Sequence, residues 1–260
     1  MQQRIITAVI ALAVLGVVLF VLPPLAVHVT LGLLIVAGAW EWSGFLGQKS
    51  LPIRMVFVAV IAGLLAVTVL FFGASAEQIL IASLLWWFAA LIWTFFFPTA
   101  IPEVVRWLAG ILTLVPLYVA LVSLYDVDRM LLLFALLVIW VADSGAYVAG
   151  RTFGRVKLAP QVSPGKTWEG VIGGLVAVVL LVLIRAFYVE TDLAVLIPFC
   201  LAAAALSIVG DLTVSMFKRT AGVKDSGSLF PGHGGVLDRI DSVSAAAPLF
   251  ALGLSWVGLS

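Results

Sequence analysis

Residues 193–241 read LAVLIPFCLAAAALSIVGDLTVSMFKRTAGVKDSGSLFPGHGGVLDRID. Through Val214 this is an apolar run of 22 residues interrupted by one carboxylate, Asp211. Beyond Val214 the character reverses. Between Asp211 and Asp241, thirty-one residues hold nine ionisable side chains: Asp211, Lys218, Arg219, Lys224, Asp225, His233, Asp238, Arg239 and Asp241. As a helix the apolar run is about 33 Å long, enough to cross the hydrocarbon core of a bilayer. The stretch therefore reads as a transmembrane helix that delivers a densely charged loop to a membrane surface.

The rest of the chain extends that reading. Its 260 residues are 64% hydrophobic and only 10% charged, where a soluble domain carries about 25% charge. Nine apolar stretches are span candidates, at 5–22, 25–41, 55–73, 78–97, 104–124, 129–149, 169–189, 193–214 and 243–260. They are apolar all round, whereas barrel strands would alternate apolar and polar residues, so the spans are helices. The expected fold is an all-α polytopic membrane protein with about nine transmembrane helices. The first run ends at Pro23-Pro24 without a small-residue cleavage site and reads as a retained span. The single cysteine, Cys200, excludes an intrachain disulfide and a cysteine-based metal site.

Charge placement orients the bundle. With a cytoplasmic N-terminus, twelve cations fall on the cytoplasmic side: Arg4, Lys49, Arg54, Arg106, Arg151, Arg155, Lys157, Lys166, Lys218, Arg219, Lys224 and Arg239. Only Arg129 and Arg185 fall opposite. This is the positive-inside bias, and it sets loops 150–168 and 215–242 on one cytoplasmic face. Polar features concentrate after residue 140. Residues 1–140 read as transmembrane scaffold and 141–260 as the catalytic region. A net charge of +1 names no partner, and no nucleic acid is expected.

Asp211 is costly where it stands, since a carboxylate at a helix centre costs about 2.5–3.5 kcal/mol to insert. Ser207, Asp211 and Ser215 recur every four residues and share a helix face. Asp238 and Asp241, three residues apart, face one side if a helix begins there. The three carboxylates could surround one or two hard cations, and oxygen-only ligands favour Mg²⁺. A hydrogen bond to a neighbouring helix is the structural alternative for Asp211, and capping and pairing with Arg239 for the other two. Lys218, Arg219, Lys224 and Arg239 are phosphate-binding candidates; plain topology is their alternative. Gly234 and Gly235, in a turn with His233, let backbone approach a ligand closely. Upstream, Gly165-Lys166-Thr167 is not a P-loop, because Pro160 stands where a glycine is required. Ser163, Lys166 and Thr167 nevertheless precede a helix start, which favours anions. Asp143 and Tyr147, one turn apart, face the same loop. Glu169 reads as a helix-start acid, Gly170 and Gly174 as places of close helix contact, and His28 as a structural residue.

The pattern Ser215-x₂-Lys218-Arg219-x₄-Lys224-Asp225-x₅-Pro231-x-His233-Gly234-Gly235-x₂-Asp238-Arg239-x-Asp241 resembles the signature of the phosphatidate cytidylyltransferases, or CDP-diacylglycerol synthases. Asp143-Ser144-x₂-Tyr147-x₂-Gly150 and Ser163-Pro164-x-Lys166-Thr167-x-Glu169-Gly170 resemble the family's upstream motifs. The resemblance implies that CTP and phosphatidate give CDP-diacylglycerol and pyrophosphate. It also implies Mg²⁺ with room for a second, monovalent cation, a homodimer, and a bacterial plasma membrane. On that chemistry Asp211 and Asp238 are the expected Mg²⁺ ligands, with Asp241 and Asp143 completing or orienting the site. Lys218 and Arg219 join them as catalytic candidates. Tyr147, Ser163, Lys166, Thr167, Ser215, Lys224, Asp225, His233, Gly234, Gly235 and Arg239 are the substrate-contact candidates, undivided between nucleotide and lipid. The rival readings are the same chemistry on another lipid phosphate, such as an unsaturated isoprenoid glycerol lipid or a polyprenyl phosphate, a transporter using Asp143 and Asp211 for ion coupling, and a structural membrane scaffold, which leaves the carboxylate cluster unexplained.

Overall fold

The computed structural model describes residues 2–47, 50–70, 76–227 and 234–253, with side chains from residue 9 onward. Among these residues lie nine α-helices: α1 (Gln2–Phe20), α2 (Pro24–Trp42), α3 (Leu51–Leu70), α4 (Ala76–Phe95), α5 (Glu103–Val127), α6 (Arg129–Phe153), α7 (Trp168–Ala186), α8 (Leu193–Thr220) and α9 (Leu237–Gly253). Seven of them, α2 to α8, are long and apolar enough to cross a membrane. The chain is a multi-pass membrane protein.

Helix α5 runs through the middle, burying Leu114, Leu117 and Leu124 completely. Large apolar side chains on the outer helices, such as Leu33, Leu85 and Phe88, remain exposed. That is the distribution expected where lipid tails, not water, surround the bundle, and where close packing rather than apolar burial joins helices. The α6–α7 pair illustrates this. A Cβ added at Gly145 would stand 2.7 Å from that of Ala177, and one at Gly174 would stand 2.7 Å from the Ala142 carbonyl oxygen. Only glycine permits this approach, as read for Gly174.

Alternating helix ends meet at each end of the bundle. At one, Arg106 of α5 donates to Phe45 O just after α2, and Arg54 of α3 donates to Ser43 Oγ. At the other, His28 of α2 pairs with Asp126 of α5 at 2.7 Å, which gives the lone histidine of that span its structural partner. Arg129 of α6 stacks there over Phe20 of α1.

Three features depart from the sequence reading. Loop 150–168 contains an antiparallel hairpin, β1 (Lys157–Ala159) and β2 (Ser163–Thr167). Its strands lack an alternating pattern, and an isolated hairpin is marginal; tertiary anchors hold this one. Glu169 accepts the Val156 N–H at 3.1 Å, and Arg219 Nε donates to Val162 O at 3.2 Å. Helix α8 continues past 214 to Thr220, and α9 begins at Leu237, not 243. Charge ends an apolar window without ending a helix. The remainder of the expected 243–260 span, from 254, lies outside the described residues.

Candidate active site

The C-terminal ends of α6 and α8, the N-terminal ends of α7 and α9 and the hairpin enclose a cavity of about 680 Å³. Asp143, Tyr147 and Arg151 line it from α6, and Ser163, Lys166 and Thr167 from β2. Asp211 enters from α8, and Asp238, Arg239, Asp241 and Ser242 from α9. Four carboxylates and three cations that span almost a hundred positions of sequence thus share one chamber.

Close backbone approach brings α8 and α9 together here. Gly210, next to Asp211, packs so tightly on α9 that an added Cβ would collide with the Asp241 carbonyl oxygen and stand 3.0 Å from the Ala245 Cβ. Asp211 Oδ2 pairs with Lys166 Nζ at 2.8 Å, and Oδ1 accepts the Ser215 hydroxyl at 3.1 Å. The helix-face reading is realised for Asp211 and Ser215. Ser207 instead donates inward to Ala204 O.

Asp238 is held more fully. Its Oδ1 pairs with Lys218 Nζ at 2.7 Å, with both side chains 9% exposed. Its Oδ2 accepts from Gly235 N–H at 2.9 Å, Ser226 N–H at 2.9 Å and the Ser226 hydroxyl at 3.0 Å. Asp241 is buried and accepts the N–H of Ser242, whose hydroxyl serves Asp143. Asp143 and Asp241 both lie within electrostatic reach of Asp211. Repulsion among these acids makes Lys166 and Lys218 necessary partners.

Other sequence candidates fall elsewhere. Ser215 and Lys218 stand behind the carboxylates they hold, and Gly235 serves Asp238 through its N–H. Gly234 takes φ +79°, a backbone conformation that favours glycine. Thr167 lines the cavity, but its hydroxyl accepts the Gly170 N–H and caps α7. Arg219 is not among the cavity-lining residues; it bonds the carbonyls of Val162 and Val223. Lys224 and Asp225 are exposed beyond the end of α8. His233 lies outside the described residues.

Three residues escaped the sequence reading. Arg151 lines the cavity and donates to Tyr147 Oη at 2.8 Å; its spacing four residues after Tyr147 on one helix was the available signal. Ser242 follows Asp241 directly. Glu41, a carboxylate at the end of an otherwise apolar span, reaches the start of α9.

The donor set fits a hard cation. Among the described residues no three His, Cys, Asp or Glu side chains stand together as a metal cage. Mg²⁺, however, takes one or two carboxylates and completes its shell with water and phosphate oxygens. A carboxylate offers about four lone-pair positions. Asp211 uses two, toward Lys166 and Ser215, and retains acceptor capacity toward the cavity. Asp238 already accepts three at Oδ2 and one at Oδ1, from Lys218, so its room for a cation is one lone pair on Oδ1.

A membrane bundle with paired acids and bases in a chamber at one end suits chemistry on phosphates at a bilayer surface. The chain belongs to the cytidylyltransferase family, whose model matches residues 2–257. It is 37% identical over 281 residues to the phosphatidate cytidylyltransferase of Haemophilus influenzae, covering 96% of this chain and 97% of that protein. It is 40% identical over 265 residues to that of Pseudomonas aeruginosa, with 98% and 97% covered. A Staphylococcus haemolyticus phosphatidate cytidylyltransferase is 47% identical over 121 residues, 45% of this chain and 46% of its own length.

Proposed function

We propose that this chain transfers the cytidylyl group of CTP to phosphatidate, releasing pyrophosphate and forming CDP-diacylglycerol, at the cytoplasmic end of its bundle in a bacterial plasma membrane. The observation that carries this is one cavity lined by Asp143, Asp211, Asp238 and Asp241 together with Arg151, Lys166 and Arg239. An ionised oxygen of the phosphatidate phosphate attacks the α-phosphorus of CTP. The P–O bond to the β-phosphate breaks, and its electron pair leaves with pyrophosphate. The lipid brings its own nucleophile, so no activated Ser, Cys or His is required. The task is to hold two anions in line and to offset charge on the departing group. Lys166, Arg151 and Arg239 supply fixed positive charge for this, with Lys166 held in place by Asp211 and Arg151 by the Tyr147 hydroxyl. Asp211 and Asp238 would hold Mg²⁺, which when bound neutralises phosphate charge; Asp143 and Asp241 complete the acidic wall.

A second, apolar groove of about 540 Å³ shares Leu158, Val171 and Ile208 with the polar cavity. Phe95, Trp168 and Leu206 extend its lining. It suits the lipid's acyl chains, with the headgroup in the charged chamber. The twelve-to-two distribution of Lys and Arg supports the cytoplasmic assignment of this end, and the family resemblance supports a homodimer. Gathering of the charges at one end of the bundle favours this reading over ion coupling at a midplane site.

The test is pyrophosphate release by the purified protein in detergent with phosphatidate, CTP and Mg²⁺. Release should require all three and yield CDP-diacylglycerol. Folded protein that is inactive on phosphatidate but active on a polyprenyl phosphate would overturn the choice of lipid. Activity on neither would overturn the reaction.

A further inference from the structure

Glu41 lies at the end of α2, in the half of the chain that carries none of the charged motifs, and it does not line the cavity. Its side chain is nevertheless buried against the charged segment. Oε1 accepts the Val236 N–H at 2.9 Å, and Oε2 accepts the Leu237 N–H at 2.8 Å and the Ser226 hydroxyl at 2.7 Å. Val236 and Leu237 form the entry to α9. The first N–H groups of a helix have no partner within it and favour a negative charge. They are usually capped by a side chain one to three residues away. Here the acceptor comes from another helix, 195 and 196 residues distant.

The cap connects directly to the site. Ser226 Oγ lies 2.7 Å from Glu41 Oε2 and 3.0 Å from Asp238 Oδ2. A hydroxyl carries a single proton, so Ser226 stands between the two carboxylates and donates to one of them at a time. Asp238 in turn holds Lys218 of α8. Glu41, Ser226, Asp238 and Lys218 therefore form a continuous polar chain joining α2, α9 and α8. The backbone is fitted to it: a Cβ at Gly235 would collide with both Glu41 oxygens and with Ser226 Oγ. Nothing in apolar packing calls for a carboxylate at this point, and burying one is expensive unless its hydrogen bonds are needed.

We propose that Glu41 is a positioning residue for the reaction, capping α9 from the N-terminal half and thereby fixing where Asp238, Arg239 and Asp241 stand in the cavity. This rests on the reading of that cavity as a metal-and-phosphate centre. Groups that orient metal-binding side chains typically cost 10- to 100-fold in metal affinity or activity when removed. Glu41 therefore governs the Mg²⁺ requirement as well as rate.

The experiment compares wild-type protein with Glu41→Ala, Glu41→Gln, Glu41→Asp and Ser226→Ala in two measurements. The first is hydrogen exchange of a peptide containing residues 234–241, which needs no activity. Glu41→Ala should lose protection at the Val236 and Leu237 amides while central α5 stays protected. The second is pyrophosphate release against Mg²⁺ concentration. Half-saturating Mg²⁺ should rise about tenfold or more in Glu41→Ala and Glu41→Gln, and by less in Ser226→Ala, with partial recovery in Glu41→Asp. A purely structural role would lower the melting temperature and the yield of active protein without moving the Mg²⁺ curve of what remains folded. Unchanged exchange at α9, or an unchanged Mg²⁺ curve in Glu41→Gln and Ser226→Ala, overturns the proposal. If Glu41→Ala does not fold, those two milder variants decide it. Wild-type protein inactive on phosphatidate would refute the assigned reaction, while the exchange measurement would still decide the cap.

Discussion

The close backbone approach of α8 to α9 at the site gives the sharpest prediction, for Gly210→Ala. The added methyl would stand 3.0 Å from the Ala245 Cβ and 3.3 Å from the Asp241 carbonyl carbon, and would overlap that group's oxygen. None of these atoms is the free end of a flexible side chain, so relief requires α8 and α9 to part. Overpacking of this kind costs about 1–3 kcal/mol of stability. The functional cost should be larger in proportion, because the neighbouring residue is Asp211 and the displaced carbonyl belongs to Asp241. Displacement of reacting groups by roughly 1 Å costs on the order of 10²-fold in rate, or about 2.7 kcal/mol of barrier. Initial rates of pyrophosphate release, with a thermal melt of each sample, should therefore show kcat/KM falling about a hundredfold in protein that remains folded. Gly63→Ala on α3 is the matched control, since nothing lies within 4 Å of its added methyl. It should keep wild-type activity. Wild-type kinetics in folded Gly210→Ala would show that the α8–α9 spacing does not set the chemistry, and the reasoning from geometry would fail.

The same geometry sets the outcome of three other substitutions. Asp211→Asn keeps the side chain's shape and removes its charge, leaving Lys166 without its partner; kcat should fall about 10²–10³-fold, and near-normal turnover at saturating Mg²⁺ would remove Asp211 from the metal site. Arg219→Ala should lose about 1–2 kcal/mol of stability for two hydrogen bonds to backbone carbonyls and keep its kcat; a collapse of kcat at unchanged stability would make Arg219 a phosphate ligand instead. Leu206→Trp should narrow the apolar groove and raise KM for long-chain phosphatidate about tenfold, equivalent to about 1.4 kcal/mol, while sparing a short-chain analogue. Equal effects on both lipids would move the acyl chains elsewhere.

How far the sequence reveals this site depends on whether a residue's role is local. Asp143, Asp211, Asp238 and Asp241 stand out because charge is costly beside apolar helix, and all four line the cavity. The i,i+4 bond from Ser215 to Asp211 was equally legible, because helix geometry alone places it. Partnership across the fold was not. Lys166 and Asp211 are 45 positions apart and Glu41 and Leu237 are 196; no periodicity links them. Arg219 shows the opposite hazard: adjacent to Lys218 in a charged motif, it turns away to hold the hairpin.

Glu41 carries the general point furthest. A single acid at the end of an apolar span adds little to any local charge count, so it passes for an interfacial residue. Its meaning depends on α9 beginning at Leu237, and that helix start is itself hidden from hydropathy by Asp238, Arg239 and Asp241. Those same charges make an outside acceptor useful. A helix whose first five residues must present two acids and an arginine to a cavity gains from having its entry N–H groups held by a group that does not face that cavity. Asp238 captures Gly235 and Ser226 for itself, which leaves Val236 and Leu237 to be satisfied from elsewhere. The N-terminal helices therefore supply more than apolar bulk around the charged segment: through one carboxylate they fix the helix that carries Asp238, Arg239 and Asp241 into the cavity.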